Sequence, residues 1–198
     1  MEKLKYTIFK LTTKDGLLVT REMGKAKKEE ICNKLEQARI NEVLIIDFAD
    51  IRFIDASCAD EIVVRVMARL EANEFPQTYV LFRNIADQHN DNINLALTVA
   101  DKLIIAFSGR KWWMLGTMNQ GYRDALRKVV ELKETTAREF QEEMNFKTIN
   151  EASTKLSRLY EKGLIAREPF RESVRGGGRQ FRYISLLRDL KKHQEVQL

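Results

Sequence analysis

The residues best suited to chemistry fall in two short stretches. One is Asp55-Ala56-Ser57-Cys58, followed at once by Ala59, Asp60 and Glu61. A serine three residues before a carboxylate fits a capping box, in which its oxygen accepts from backbone N–H groups at a helix start. A phosphoryl group on Ser57 would meet the same amides and the positive end of the helix dipole. Asp55, Asp60 and Glu61 oppose it, because a phosphoserine carries about −1.5 to −2 charges and would meet like charge. Ser57 therefore reads first as an N-cap and second as a candidate phosphorylation site. Cys58 is pulled both ways, since a helix start lowers a thiol pKa and neighbouring carboxylates raise it. A small core cysteine is the expectation.

The other stretch is Thr148–Leu159, TINEASTKLSRL. Ile149, Ala152, Leu156 and Leu159 recur at helical spacing and are expected to pack inward. That leaves Asn150, Glu151, Ser153, Thr154, Ser157 and Arg158 on exposed faces. Asn150 and Arg158 carry groups that pair with base edges in a DNA major groove. Thr148, Ser153, Thr154 and Lys155 suit phosphate contacts, which position a protein rather than specify a sequence. Glu151 is repelled by phosphate unless it accepts from a cytosine amino group. Further on, Arg171, Arg175 and Arg179 surround three consecutive glycines, 176–178. Such a tip turns without a Cβ penalty, and its guanidinium groups can reach phosphate. Gly-Gly-Gly-Arg is not a nucleotide loop, because it lacks the Gly-Lys-Ser/Thr ending.

Other constellations read more plainly. Asp87-Gln88-His89-Asn90-Asp91 places a histidine between carboxylates, but with no second histidine near, a solvated loop or helix cap is expected. With two histidines and two cysteines in 198 residues, a zinc site and a disulfide framework are both unexpected. No persuasive catalytic set emerges, so no enzyme activity, metal or cofactor is expected. In Trp112-Trp113 alternation sends one ring to the core and the other outwards, towards a domain junction or a dimer partner. The N-terminus has no apolar h-region and no run approaches the roughly 18 residues of a membrane span. A cytoplasmic protein is expected.

These residues need elements to hold them. Residues 5–11 alternate polar and apolar as a half-buried strand, Asp15-Gly16 signals a turn, and Leu17–Thr20 reads as the returning strand. A helix is expected over 23–39. Val43–Phe48 is a continuous apolar run, typical of a strand buried on both faces. Residues 57–70 carry a helical stripe, 78–82 a strand, 86–100 a helix, and 103–107 with 112–115 a hairpin. Asn119-Gln120-Gly121 reads as the linker. After it come three helices (stripes Tyr122/Leu126/Val129, Ala137/Phe140/Met144 and the one beginning at Thr148), then strands over 164–167 and 180–186. Leu186, Leu187 and Leu190 suit a short docking helix, followed by a basic tail. The expected domains are 1–118, 122–187 and the tail 188–198. Charge separates them too. Residues 1–118 hold 17 basic and 17 acidic residues, and 119–198 hold 17 and 12, so the whole +5 lies in the second part. That asymmetry suits a nucleic-acid-binding module joined to a neutral one.

Two resemblances follow. VLIIDFADIRFIDASCADEIV (43–63) resembles the centre of a STAS domain, the fold of anti-sigma-factor antagonists, and the upstream LLVTREMGKAKKEEICNKLEQ with CADEI looks closer to a divergent STAS-like group of unknown function. In antagonist members the serine matching Ser57 is phosphorylated by a partner kinase. Here Ala56 replaces the first serine of that motif and Cys58 its glycine. TAREFQEEMNFKTINEASTKLSRLYEKGLIAREPF with RGGGRQFRYISL resembles MarR-like winged helix-turn-helix regulators. Together they imply an α/β fold: a STAS-like mixed sheet with helices, then an α+β winged helix-turn-helix domain. The expected function is a DNA-binding transcriptional regulator that contacts double-stranded operator DNA as a homodimer, the STAS-like part sensing, dimerising or recruiting a regulatory protein. The alternative is a partner-switching protein that binds a kinase or regulatory protein and no DNA. A small-molecule sensor is a third reading.

Overall fold

The computed structural model describes residues 3–170 and 180–190. The chain divides into two compact units, Met1–Thr117 and Met118–Leu198. Asn119 is not linker. It caps a helix, its side chain accepting from the Tyr122 N–H at 3.1 Å.

In the first unit, β1 (Lys5–Lys10), β3 (Glu42–Asp47), β5 (Thr78–Arg83), β6 (Ile104–Ser108) and β7 (Lys111–Leu115) form one sheet in the order β1-β3-β5-β6-β7. The first four run parallel and β7 pairs antiparallel to β6, so the mixed sheet is as expected. The connections step in one direction along the sheet. Right-handed crossovers then set α1 (Arg21–Glu36), α4 (Asp87–Val99) and the helical segment between them on one face. Leu44, Ile46, Val80, Phe82, Ile104 and Ala106 meet Ile31, Leu35, Ile62, Val66, Ile93 and Leu97 there in one core. The alternate residues Val43, Ile45, Leu81 and Ile105 point to the opposite face and are also buried. This is why the strands read as continuous apolar runs.

Two local expectations change. Leu17–Thr20 does not return along the first strand. β2 (Leu17–Leu18) instead pairs in parallel with β4 (Phe53–Ile54). The Gly16 carbonyl accepts from the N–H groups of Arg52 and Phe53 at 2.8 and 3.2 Å, which draws the segment away from β1. The helix expected over 57–70 is interrupted. It runs as α2 (Ala56–Ala59), a π-helical turn over Asp60–Arg65, and α3 (Val66–Glu71). The wider turn holds buried Glu61, which meets Lys28 at 3.2 Å and Arg21 at 3.4 Å on α1. α1 approaches this turn and the end of α2 closely at Gly24, where a Cβ would lie 3.0 Å from both the Glu61 Cβ and the Cys58 Cα.

The second unit consists of α5 (Gln120–Leu132), β8 (Glu134–Thr136), α6 (Ala137–Glu143), α7 (Ile149–Glu161), β9 (Ile165–Phe170) and β10 (Gln180–Ser185). Its sheet has the order β8-β10-β9, both pairs antiparallel. Leu126, Val129, Phe140, Ala152, Leu156, Leu159, Ile165 and Tyr183 are buried in this unit. Thr136 caps α6 in a capping box with Glu139, each side chain bonding the other's backbone N–H. Ile149 departs from the inward stripe. It occupies the first position of α7 and is 43% exposed. The end of the described chain also differs. Residues 186–189 form turns, Leu186 and Leu190 are buried, and Arg188 pairs with Glu134 rather than joining a free basic tail.

Candidate functional site

The exposed face of α7 is built from its N-terminus. Thr148 has extended backbone and its hydroxyl accepts from the Glu151 N–H at 3.3 Å, which fixes the helix start. Ala152, Leu156 and Leu159 face the core, so the intervening residues face out. Asn150, Ser153, Thr154, Ser157 and Arg158 line one shallow depression of about 350 Å³, together with Tyr122 of α5 and Glu161. The structure thus gathers five of the sequence-selected residues on one surface. Asn150, Glu151, Thr154 and Arg158 are exposed and Ser153 is half-buried. Tyr122 was read as core stripe. Its aromatic edge on this surface has no signature in the sequence.

Two of the selected residues are placed differently. Ser157 is half-buried, and its Oγ lies 3.3 Å from the Tyr183 hydroxyl on β10. It ties α7 to the hairpin as well as lining the depression. Lys155 is half-buried with its ammonium 4.9 Å from the Tyr122 ring centroid and 5.6 Å from that of Phe146. Those cation–π contacts hold α7 against α5 and the turn after α6. Arg171, Arg175 and Arg179 lie outside the described residues.

Charge on this face is nearly balanced. Arg158 pairs with Glu161 at 3.5 Å, both more than half exposed, and Glu151 stands in the first turn. Other basic residues of the unit serve its packing. Arg167 lies between the Tyr160 and Phe181 rings, 4.1 Å from each centroid, and Arg182 sits 4.3 Å over Phe170. Of the +5 excess, two charges fall in 171–179 (Arg171, Arg175 and Arg179 against Glu172) and one in 191–198 (Lys191 and Lys192 against Glu195).

In the first unit, Ser57 is not the N-cap. Asp55 is, its carboxylate accepting from the Cys58 N–H at 2.7 Å. Ser57 is half-buried and donates its hydroxyl to the same Asp55 oxygen at 2.8 Å. Asp55 takes the cap because its side chain stands three residues before the donor N–H, a position from which Ser57 is excluded. Cys58 is buried and its thiol donates to the Thr20 carbonyl at 2.8 Å. Burial, with Asp55 beside it, pushes this thiol up to about 11. Burial also raises Cys32. Both read as core cysteines. His89 is not in a solvated loop. It is fully buried in the first turn of α4, with Nε2 3.0 Å from the Ile51 carbonyl.

Among the described residues no group of three or more His, Cys, Asp or Glu side chains is placed to hold a metal, and no helix is long and apolar enough to cross a membrane. Set against known families, curated proteins and solved structures, the chain finds no match.

Proposed function

We propose that the chain is a DNA-binding transcriptional regulator acting in the cytoplasm. In this reading the second unit is a winged helix-turn-helix domain. α6 and α7 are the helix pair, and the β9–β10 hairpin is the wing. The first unit is a STAS-like module for sensing, dimerisation or partner recruitment. One observation carries the reading: the outward row of Asn150, Ser153, Thr154 and Arg158 along α7, lining one depression, in a unit that also holds an antiparallel hairpin. A helix entering the major groove uses its N-terminal residues on base edges; here Asn150, Ser153 and Thr154 lie in the first half of α7, with Ile149 the one exposed apolar residue beside them, and Arg158 stands in its last turn.

The division of labour follows from the charges. Because Glu151 and Glu161 offset Arg158, α7 supplies readout more than attraction. The salt-dependent attraction rests on Arg171, Arg175 and Arg179. Partner switching gains less support, since the Ser57 hydroxyl is committed to Asp55 in an acidic setting. The test is binding of the full chain to duplex fragments flanking its own gene at several salt concentrations. The reading expects sequence-preferring binding whose log K falls linearly with log salt. Binding indifferent to sequence, or none, contradicts it.

A further inference from the structure

The five-stranded and three-stranded sheets have four edges between them, and three carry devices that discourage pairing with another chain. β1 has exposed Lys5 and Lys10 at its two ends. β8 is three residues long. β9 contains Pro169, beside Arg167 and Glu168. β7, the remaining edge, reads Lys-Trp-Trp-Met-Leu, with no proline, no glycine and one charge at its start.

The register shows which backbone groups this edge offers. Gly109-Arg110 is a two-residue loop, so Ser108 and Lys111 form the closing hydrogen-bonded pair. Antiparallel ladders alternate, which turns the backbone groups of Trp113 and Leu115 towards β6 and those of Trp112 and Met114 away from it. Among the described residues, the outward groups of Trp112 and Met114 meet no backbone partner. The side chains are divided as well. Trp113 packs against the helix-side core and donates its indole N–H to Asn90 at 3.2 Å. Trp112 and Met114, half-buried, stand on the opposite face.

We infer that two copies of this chain join through their β7 edges, antiparallel about a dyad at Trp113, into one continuous ten-stranded sheet. The edge is self-complementary in this register. Trp112 faces Met114 of the second copy in two hydrogen-bonded pairs, which use the outward N–H and C=O groups of both. Trp113 faces its own equivalent in the close non-hydrogen-bonded position, where aromatic cross-strand pairs stabilise most. Trp112 against a methionine sulfur is a favourable contact on the other face. Lys111 faces Leu115, so the two lysines do not oppose each other. The interface is isologous, as a two-fold dimer requires. It fits the proposed homodimer, yet its test needs no DNA, so the two readings fail separately.

The experiment is sedimentation equilibrium of the full chain without DNA, from sub-micromolar to tens of micromolar. The expected species is twice the 23.1 kDa chain. Met114→Pro removes an outward N–H without touching the β6 ladder, and should weaken dimerisation at least tenfold with unchanged far-UV circular dichroism. Trp113→Cys places two thiols across the dyad with Cα atoms about 4.5 Å apart, within disulfide range, and should yield a covalent dimer on mild oxidation. A wild-type monomer throughout overturns the inference, as does a folded Met114→Pro chain that dimerises undiminished. Should Met114→Pro unfold, failure of Trp113→Cys to cross-link overturns it.

Discussion

The Lys155 ammonium lies 4.9 Å from the centroid of the Tyr122 ring, so a residue on the candidate recognition helix is engaged by the helix that opens the unit. The ring of Phe146, from the turn before α7, is 5.6 Å from the same ammonium. Removing Lys155 should therefore be felt in stability before it is felt in binding. Lys155→Ala is expected to cost about 1 kcal/mol, read from a denaturant titration. The slope of log K against log salt should not change, whereas loss of a phosphate contact would lower it by about one.

At Gly24 α1 packs closely against the helical segment that holds Cys58 and Glu61. An added Cβ would lie 3.0 Å from both the Cys58 Cα and the Glu61 Cβ. Alanine gains up to about 1 kcal/mol over glycine in a helix interior, but separating two packed backbones costs about 1–3 kcal/mol. Gly24→Ala should be net destabilising, with a lower urea midpoint and an unchanged m-value. A variant more stable than wild type would show that α1 can move freely at this point.

Glu42 should give stability a defined pH dependence. Burial raises its carboxyl, but the Arg39 N–H at 2.9 Å, the Thr7 hydroxyl at 2.5 Å and the charges of Arg39 and Lys5 together hold it below its ordinary 4.5. A carboxyl depressed by folding contributes stability that is fully present above the unfolded value and lost as pH falls through the folded one. Glu42→Gln should be less stable than wild type at pH 7, and the gap should close below about pH 4.5. A gap of constant size from pH 7 to pH 3 contradicts this assignment.

Both cysteines should be inert in the native protein. Cys58, at about 11, is thiolate in roughly one molecule in ten thousand at pH 7, and both thiols are buried. A thiol-specific disulfide reagent should label neither until denaturant is added, and both thereafter. Rapid native labelling of Cys58 would contradict its assignment as a core cysteine.

Most of the fold was legible because its strands are either wholly apolar or strictly alternating. β3 and β5 needed only their apolar runs, and α5, α6 and α7 only their stripes, with Thr148 marking the start of α7. What was not legible depends on tertiary partners. The polar strand β8 exists because Thr135 and Thr136 pair with β10. The π-helical turn leaves no periodic trace, and the embedded Glu61 is balanced by Arg21 and Lys28 some 40 and 33 residues away. Ser57 lost the cap to Asp55 because either residue has the right chemistry and only the bond to the Cys58 N–H separates them. On α7 the spacing gave the outward row, but the engagement of Lys155 and Ser157 comes from Tyr122, Phe146 and Tyr183, which lie on other elements.

The central claim is that α7 reads DNA, and Asn150 and Arg158 test it most directly. Both are exposed on the same depression, and neither is required by the core. The measurement is a competition between a preferred fragment and a scrambled duplex, for wild type, Asn150→Ala and Arg158→Ala, at fixed salt. The account predicts that each variant loses about 1–3 kcal/mol of discrimination, a roughly five- to 150-fold drop in preference, with non-specific affinity and melting temperature nearly unchanged. Equal preference in all three proteins would contradict it.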